Sequence, residues 1–351
     1  MKTQKKIAII AGARPNFMKI APLCRELKRR RLDFFVVNTG QHFTKSLAAD
    51  ICRELKIQAD YTLRPARRPV IRQMADIMRG LEMIFIREKP DLVLVVGDVN
   101  STLAGALVAN KMGIKLVHVE AGLRSHNRLM PEEFNRVVTD HLADYLLVTT
   151  EEGRANLKKE GLVQNVVCVG NLMIDSLVQH LPKNSPVSGR YYYCTLHRGE
   201  NVDDKKIFSE ILAALAVIAQ DAKIYLPLHP RTKKMAQKFG LLARLKSICE
   251  VRPPASYRES LAWEKNAALI LTDSGGVQEE TSYLGVPCLT LRTETERPIT
   301  VRQGTSVVAG VTKQSILRAY RQYLQKPKTG KRIPLWDGRA AQRIIDFLLS
   351  Q

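Results

Sequence analysis

Short apolar runs alternate with amphipathic segments along almost the whole chain. The runs are rich in Val, Ile and Leu and are bounded by turn residues, which is typical of strands, while the segments between them have helical periodicity. In the first half the predicted strands are Ile7–Ala11, Phe34–Asn38, Leu92–Val96, Leu116–Val119, Tyr145–Thr149 and Val166–Val169. The predicted helices are Asn16–Arg30, Ser46–Leu55, Ile71–Glu88, Ser101–Met112, Glu132–Leu142 and Glu152–Lys159. This alternation predicts parallel sheets with right-handed crossover connections.

The same alternation starts again after Asn171. Here the predicted strands are Tyr191–Leu196, Lys223–Leu228, Ile248–Val251, Leu269–Thr272, Cys288–Leu291 and Ser306–Val308. The stretch HLPKNSPVSGR at 180–190 has the composition of a linker. Because 351 residues exceed the usual size of one domain, two domains are expected. The sequence therefore predicts an α/β protein with two doubly wound parallel-sheet domains, at 1–178 and 190–330.

Composition indicates an ordinary soluble protein, with 45% hydrophobic and 25% charged residues. No apolar run approaches the roughly 18–20 residues of a membrane span, so no membrane insertion is expected. The short apolar stretch near the start is interpreted as the first strand rather than a signal peptide. Six cysteines are scattered without zinc-site spacing. Reduced thiols and a cytoplasmic location are therefore expected.

The charge balance is unusual, since 55 basic and 34 acidic residues give a net charge of +21. Binding to nucleic acid or to an anionic membrane is one interpretation. The basic clusters, however, lie in predicted helix ends and connections, few aromatic residues are interleaved with them, and no nucleic-acid module is recognisable. The pattern favours a solvated basic surface with a cleft for an anionic ligand. No specific nucleic-acid partner is expected, although nucleic-acid binding stays as a minority alternative.

Acidic residues follow two neighbouring strands of the first predicted sheet. Asp98 comes after Leu92–Val96, and Glu120 comes at the end of the next strand. Consecutive parallel strands place both acids at one sheet edge, where ligands bind in such folds. Two acids so placed repel each other unless a cation or catalysis uses them. The intervening helix is predicted to begin near Ser101, as its N-cap.

A third acidic group lies in the segment MPEEFNR, where Pro131 suits a helix start and Glu132 and Glu133 fall in the first turn. Compensation of the helix dipole and a catalytic role are both open for these two residues.

The first turn, GARPNFMK, does not match the dinucleotide motif GxGxxG because it has one glycine. Arg14 and Lys19 flank the helix start, which suits a phosphate-bearing ligand instead. After the second strand, the segment TGQHF gives Gln41 and His42 a similar position.

Two histidines occupy equivalent strand ends in the second half. His197 and His229 are each followed within two residues by an arginine. A lone histidine is more often structural, but this repetition favours an anion-binding or proton-transfer surface.

The segment LTDSGGVQEETSYLGVP reads as a strand end, a glycine turn and a short helix. Ser274, Gly275 and Gly276 can offer backbone N–H groups to a diphosphate at the helix N-terminus. Glu280, about one turn further on, can accept hydrogen bonds from a ribose diol, and the segment RTETERP adds Arg297. Phosphate and diol recognition together predict a nucleoside diphosphate such as UDP.

The motifs occur in an order that resembles one known family. They are GARPNFMKIAPL, TGQH, GDVNSTLAGALVA, HVEAGLRS, MPEEFNR, DSGGVQEE and ERP. Together they resemble the non-hydrolysing UDP-N-acetylglucosamine 2-epimerases. The resemblance implies a GT-B-like fold of two Rossmann-like domains with a cleft between them, and a homodimer. It also implies that a C-terminal helix within 331–351 packs back on the first domain.

The resemblance also assigns roles to residues. The catalytic positions it implies are Asp98, Glu120, Glu132 and His197. The nucleotide contacts it implies are Arg14, Lys19, Ser274, Gly275, Gly276, Glu280 and Arg297. The predicted substrate and UDP contacts also include Gln41, His42, His229 and Tyr257. The implied chemistry removes UDP from C1 and the proton from C2 to give a glycal, and then re-adds UDP with protonation of C2 from the opposite face. No metal or nicotinamide cofactor is required.

Several departures leave details open. Asn16 stands where many family members have Glu, and HRGENVDD replaces the common HRRE form, which puts an allosteric UDP-sugar site in doubt. The sugar is UDP-GlcNAc or a close derivative, such as a 3-acetamido uronic acid. A hydrolysing epimerase and a GT-B glycosyltransferase are the alternatives. Three acids in the first domain favour proton chemistry over glycosyl transfer, which needs one base.

Overall fold

The computed structural model describes residues 5–41, 52–184 and 187–351. These residues form two compact α/β units. One holds the described residues up to Ser176 together with Pro334–Gln351, and the other is Leu177–Ile333. No helix among the described residues has the length and apolar character needed to cross a membrane.

The first unit is built on a parallel sheet. Its strands are β1 Ile7–Ala11, β2 Phe34–Asn38, β3 Tyr61–Thr62, β4 Leu92–Val96, β5 Lys115–Ala121, β6 Tyr145–Val148 and β7 Val166–Cys168. Its helices are α1 Arg14–Arg29, α2 Val70–Glu88, α3 Asn100–Lys111, α4 Pro131–Leu142, α5 Glu151–Lys159 and, at the boundary, α6 Leu172–His180. The strand order is β3-β2-β1-β4-β5-β6-β7. The central strands β1 and β4 are wholly buried apolar runs, as expected for strands covered by helices on both faces.

The strand β5 ends in an irregularity. Its pairing with β6 shifts register between Val119 and Ala121. Glu120, at the shift, has a φ of +71°. A side chain larger than glycine is strained in this left-handed region, and bulges of this kind re-aim a side chain at a strand end. The bulge therefore gives Glu120 an orientation that a regular strand would not provide.

The C-terminal segment belongs to the first unit and ends in a helix whose bounds are Ala340–Ser350, numbered α15 below. Asp175 accepts hydrogen bonds from the backbone N–H groups of Ala340 and Ala341, at 3.0 and 2.8 Å. These bonds satisfy two N–H groups that a helix start leaves without an intrahelical partner. Further along the helix, Asp346 pairs with Arg30 at 2.5 Å.

The second unit repeats the design. Its strands are β8 Tyr191–Thr195, β9 Lys223–Pro227, β10 Glu250–Arg252, β11 Leu269–Thr272, β12 Cys288–Thr290 and β13 Ser306–Val308. Its helices are α7 Gly199–Val202, α8 Lys205–Ile218, α9 Pro230–Lys238, α10 Leu242–Ile248, α11 Tyr257–Asn266, α12 Gly275–Leu284, α13 Pro298–Arg302 and α14 Lys313–Gln325. The order is β10-β9-β8-β11-β12-β13, again parallel.

Both sheets have the strand order of doubly wound nucleotide-binding domains. The order reverses beside β1 and β4 in the first unit and beside β8 and β11 in the second. Ligands of such sheets bind at the carboxyl ends of the strands near the reversal. The strand β3 was not predicted from the sequence. The predicted helix Ser46–Leu55 falls mostly outside the described residues.

Candidate active site

Glu120 lies in a buried cluster at the carboxyl edge of the first sheet. Its Oε2 atom accepts a hydrogen bond from Lys19 Nζ at 2.5 Å. Its Oε1 atom is buried and has no hydrogen-bond partner within the described residues. Leaving a buried acceptor unsatisfied costs roughly 1–3 kcal/mol. One carboxylate oxygen is therefore committed to the fold, while the other is available to a ligand.

Gly97 allows this cluster to assemble. A Cβ atom at this position would lie 3.4 Å from Lys19 Nζ and 3.7 Å from Glu120 Oε2, and Gly97 has a φ of +74°. Asn16 is adjacent and connects the first turn to β4. Its Oδ1 accepts from the N–H of Ala13 at 3.0 Å, and its Nδ2 donates to the carbonyl of Val96 at 2.9 Å. Asn16 thus fixes the loop that precedes α1.

The two cations predicted near the first turn have different environments. Lys19 is 6% exposed and neutralises Glu120. Arg14, the first residue of α1, is partly exposed. The helix begins two residues earlier than predicted, so Arg14 is inside its first turn.

Asp98 pairs with Arg136, a cation that it shares with a first-turn acid of α4. Its carboxylate accepts a hydrogen bond from Arg136 Nη2, and its side chain remains 24% exposed. Asn135 Nδ2 donates to the Asp98 backbone carbonyl at 2.9 Å. Lys19 beside Glu120 and Arg136 beside Asp98 reduce the repulsion expected between acids at neighbouring strand ends. The roles of Asn135 and Arg136 within MPEEFNR depend on these tertiary contacts, which the sequence pattern does not show.

The two first-turn acids of α4 differ. Glu133 is buried and accepts hydrogen bonds from the N–H groups of Ser125 and His126, at 2.8 and 3.0 Å, and from Arg136. Burial raises the pKa of Glu133, but the Ser125 N–H and the Arg136 guanidinium outweigh it and leave the pKa below its ordinary value. Glu133 thus holds a loop in place. Glu132 is partly exposed in the same turn.

The predicted N-cap of α3 is wrong. The N-cap residue is Val99, and the helix begins at Asn100. Ser101 therefore lies in the first turn, where its N–H has no intrahelical acceptor. Gln41 supplies one: its Oε1 accepts from Ser101 N at 2.9 Å and from Ser101 Oγ at 2.7 Å. Gln41 therefore contacts the start of α3, and its contact with substrate stays a prediction. His42 lies outside the described residues.

The two strand-end histidines of the second unit lie together, with ring centroids 5.4 Å apart. Asp273 contacts both the ring and the backbone of His197. One of its carboxylate oxygens lies 3.1 Å from His197 Nδ1, and the other accepts a hydrogen bond from the His197 backbone N–H at 2.9 Å. Burial raises the pKa of Asp273, but the hydrogen bonds and charge of His197 outweigh burial and keep the pKa below its ordinary value. An imidazole supported by an ionised carboxylate has a fixed tautomer and a stabilised imidazolium form.

His229 is the N-cap of α9, and its Nδ1 accepts from the Arg231 N–H at 3.2 Å. The guanidinium of Arg231 pairs with Asp203. A Cβ atom at Gly199 would lie 2.5 Å from Arg231 Nη2. The glycine that replaces the second arginine of HRRE therefore leaves space that Arg231 fills.

Ser274 caps helix α12, since its Oγ accepts from the Val277 N–H at 3.5 Å. Gly275 follows, and a Cβ there would be 3.1 Å from Glu296 Oε1. Gly276 completes a start without bulky side chains. Such a helix start can receive an anion through its free N–H groups.

A group of arginines surrounds Glu296, of which Arg292 and Arg297 are buried and Arg198 is partly exposed. The carboxylate oxygens of Glu296 accept from Arg198 Nη2 at 3.0 Å and from Arg292 Nη1 at 2.6 Å. Burial raises the pKa of Glu296, but the charges of Arg297, Arg198 and Arg292 outweigh it and hold the pKa far below its ordinary value. Glu296 and Arg292 were not among the predicted site residues: they are four residues apart, but in a loop after β12, where no helical spacing indicates a pair.

The adjacent acids of α12 have separate partners. Glu279 accepts from Arg297 Nε at 2.7 Å, and Glu280 accepts from Tyr257 Oη at 2.9 Å. Glu264 is also buried nearby. Burial and the charge of Glu280 raise the pKa of Glu264 well above its ordinary value.

Comparison with known structures defines the class of protein. A crystal structure of MurG from Acinetobacter baumannii matches with a TM-score of 0.61 at 11% identity, over 99% of this chain and 100% of that one. At this identity the similarity shows a shared fold and nothing more. The UDP-GlcNAc 2-epimerase of Methanocaldococcus jannaschii, crystallised with UDP-GlcNAc and UDP, has a TM-score of 0.92 at 40% identity and covers 99% and 100%. The fold is GT-B-like, with two Rossmann-like domains, as predicted.

The family follows from sequence similarity. The family described as UDP-N-acetylglucosamine 2-epimerase matches residues 25–349. The Methanocaldococcus jannaschii enzyme of that name is 40% identical over 98% of both chains. A Pseudomonas aeruginosa relative named UDP-2,3-diacetamido-2,3-dideoxy-D-glucuronate 2-epimerase is 36% identical over 98% of this chain and 99% of that one. This chain belongs to the UDP-N-acetylglucosamine 2-epimerase family, so the resemblance is confirmed.

Proposed function

We propose that this protein interconverts UDP-GlcNAc and UDP-ManNAc by inversion at C2. Family membership supports the reaction class. The observation that carries the proposal within this chain is the Glu120 carboxylate. One of its oxygens is paired to Lys19, and the other is buried and has no hydrogen-bond partner in the described part of the chain. Such a group can accept a proton from a carbon acid when the substrate excludes water.

UDP is assigned to the second unit. The diphosphate meets the N–H groups at the start of α12, at Ser274, Gly275 and Gly276, with positive charge from Arg297 and its neighbours. The ribose diol donates to Glu280, and Tyr257 orients that carboxylate. Arg14 and Lys19 of α1 stay predicted phosphate contacts of the first unit, and Lys19 is paired with Glu120.

The reaction proceeds by elimination and re-addition. A carboxylate of the first unit removes the C2 proton, the C1–O bond to UDP breaks, and a glycal remains with UDP as the leaving group. Protonation of the opposite face of C2 and attack of UDP on C1 then give the epimer. Asp98, Glu120 and Glu132 are the carboxyl candidates for the two proton transfers, and which of them is the base is left open. His197, held by Asp273, stabilises or protonates the departing diphosphate.

The sugar is a second question within the same proposal. The Pseudomonas aeruginosa relative is named for a diacetamido glucuronate, so that substrate is the specific alternative to UDP-GlcNAc. Measuring kcat/KM for both nucleotide sugars decides between them.

We also propose that the enzyme is a cytoplasmic homodimer. The described cysteines are all free thiols, which supports a reducing compartment. The dimer rests on the family resemblance, and light scattering after size-exclusion chromatography tests it.

The test of the proposal is NMR of UDP-GlcNAc incubated with the pure protein in D₂O. Proton transfer through exchangeable carboxyl groups places deuterium at C2 of the UDP-ManNAc product. A hydrolysing epimerase would instead accumulate UDP and free sugar in equal amounts. A glycosyltransferase would leave protium at C2 and release UDP only with an acceptor. An epimer that retains protium at C2 would contradict the elimination mechanism.

A further inference from the structure

His118 of β5 is completely buried beside the candidate acids, and both of its ring nitrogens have partners. Nδ1 is 2.6 Å from Asp140 Oδ1, and Nε2 is 2.9 Å from the carbonyl oxygen of Gly97. Gly97 immediately precedes Asp98, and His118 lies two residues before Glu120 on the same strand. The histidine therefore connects the two strand ends that carry the acids.

The chemistry of these partners determines where the protons are. A carbonyl oxygen only accepts hydrogen bonds, so Nε2 must carry a proton. Asp140 also accepts from Gly122 N at 3.1 Å and from Arg124 Nη1 at 2.7 Å, as an ionised carboxylate does. Burial raises the pKa of Asp140, but His118 and Arg124 outweigh it and keep the pKa below its ordinary value. Nδ1 faces the Asp140 carboxylate at 2.6 Å, so each ring nitrogen is held by its own partner.

The charged groups around the ring balance one another. Asp140 from α4 lies between His118 and Arg124, and Arg124 also pairs with Glu160 at 2.7 Å. On the side of the sheet edge, Glu120 is neutralised by Lys19, and Asp98 pairs with Arg136. Each carboxylate around the ring thus has a cationic partner, so the surroundings of His118 are held in place from several elements.

We propose that His118 is a positioning residue whose Nε2 hydrogen bond fixes the Gly97 carbonyl, and thereby the separation of Asp98 and Glu120, for proton transfer. The other side of Gly97 is tied to the same strand, because its N–H donates to the Val119 carbonyl at 3.1 Å. With the Nε2 bond lost, the Gly97 turn is held from one side, and its close contacts with Lys19 and Glu120 can shift. The catalytic consequence rests on the proposed epimerase function.

Two substitutions separate the two bonds of the ring. His118→Gln retains an amide donor near the position of Nε2, facing Gly97, and His118→Asn retains one near Nδ1, facing Asp140. Each variant loses one of the two buried contacts of the ring and should lower the melting temperature. Misplacement of a reacting group by about 1 Å costs on the order of 10²-fold in rate. His118→Asn should therefore lower kcat by about that factor with KM and UDP affinity little changed, while His118→Gln retains clearly more activity.

His141→Gln is the matched control, since His141 is an exposed histidine on α4, and its kcat should match the unaltered protein. Equal losses of kcat in His118→Gln and His118→Asn would overturn the positioning role.

A second measurement does not depend on activity. In ¹⁵N-labelled protein at neutral pH, the resonances absent from the His118→Gln spectrum should report a proton on Nε2, the nitrogen that faces Gly97. A ring protonated on Nδ1 alone would contradict the hydrogen bond to Gly97. If the unaltered protein shows no epimerisation, the proposed function fails, whereas this spectrum still decides the state of His118.

Discussion

The buried carboxylates near the candidate site differ in their hydrogen-bond partners. One oxygen of Glu120 pairs with Lys19, and the other has no hydrogen-bond partner among the residues that the structure describes. Both oxygens of Glu133, in contrast, accept hydrogen bonds from loop N–H groups, and one also accepts from Arg136. Glu280 has a neutral donor in Tyr257, which leaves its charge uncompensated by that contact. The difference in partners separates acids that can act on a ligand from acids that hold the fold, although their sequence contexts are similar.

Glu120 and Asp98 should both be required for turnover. Glu120→Gln and Asp98→Asn should each lower kcat by at least about 10²-fold, as expected for acid–base groups, while UDP binding by calorimetry stays intact. Glu151→Gln, an exposed first-turn acid of α5, is the control and should be silent. Near-full turnover in either test variant would return that residue to a structural role.

The positions of the site residues could be predicted from sequence because strand ends are visible in it. Asp98, Glu120 and His197 each follow an apolar run, and parallel topology brings such ends to one edge. Their partners could not be predicted. Asp140 and Arg136 reach the site from a helix whose orientation depends on packing of the whole unit. The roles of all these residues stay predictions until measured.

At the scale of elements, the predicted and observed bounds agree best for the buried strands. The central strands match closely because they are apolar on both faces, whereas the two-residue β3 carries Tyr61 and Thr62 at the sheet edge and gives no periodic signal. The observed helix starts differ from the predicted ones by one or two residues. In α3, for example, the N–H of Ser101 bonds to the distant residue Gln41 rather than to a local N-cap side chain. The bulge at Glu120 has no sequence signature, because it arises from pairing with β6.

The start of helix α15 should respond to pH through Asp175. Burial raises the pKa of Asp175 to about 6, although the N–H groups of Ala341 and Ala340 oppose the shift. A carboxyl whose folded pKa exceeds its unfolded value favours folding at low pH, and this contribution is lost as pH rises from about 4 to about 6. The free energy of unfolding should therefore decrease across this window relative to Asp175→Asn, by on the order of 2 kcal/mol.

Urea unfolding of both proteins at a series of pH values measures this difference, which should be constant above about pH 7. Asp346→Asn, on the exposed face of the same helix, is the control. A difference between Asp175→Asn and the unaltered protein that does not change between pH 4 and 6 would contradict the assignment.

At the scale of the whole molecule, the net charge of +21 exceeds what one diphosphate site requires. Several cations are used internally: Lys19, Arg124, Arg136, Arg292 and Arg297 are buried and paired with carboxylates. Others are solvated, such as Arg29, whose side chain is 63% exposed beside Glu26. The excess charge thus lies largely on accessible surface, where it acts as a diffuse field.

Such a field predicts non-specific attraction to polyanions and no sequence recognition. Fluorescence anisotropy with a labelled DNA or RNA duplex should give weak binding that falls by at least about 10-fold between roughly 50 and 200 mM salt, since it depends on counterion release. Two duplexes of unrelated sequence should bind equally, and saturating duplex at physiological salt should leave kcat/KM for the nucleotide sugar unchanged. Tight binding that discriminates between the sequences at physiological salt would instead make nucleic acid a true partner, because diffuse charge reads phosphate and not base edges.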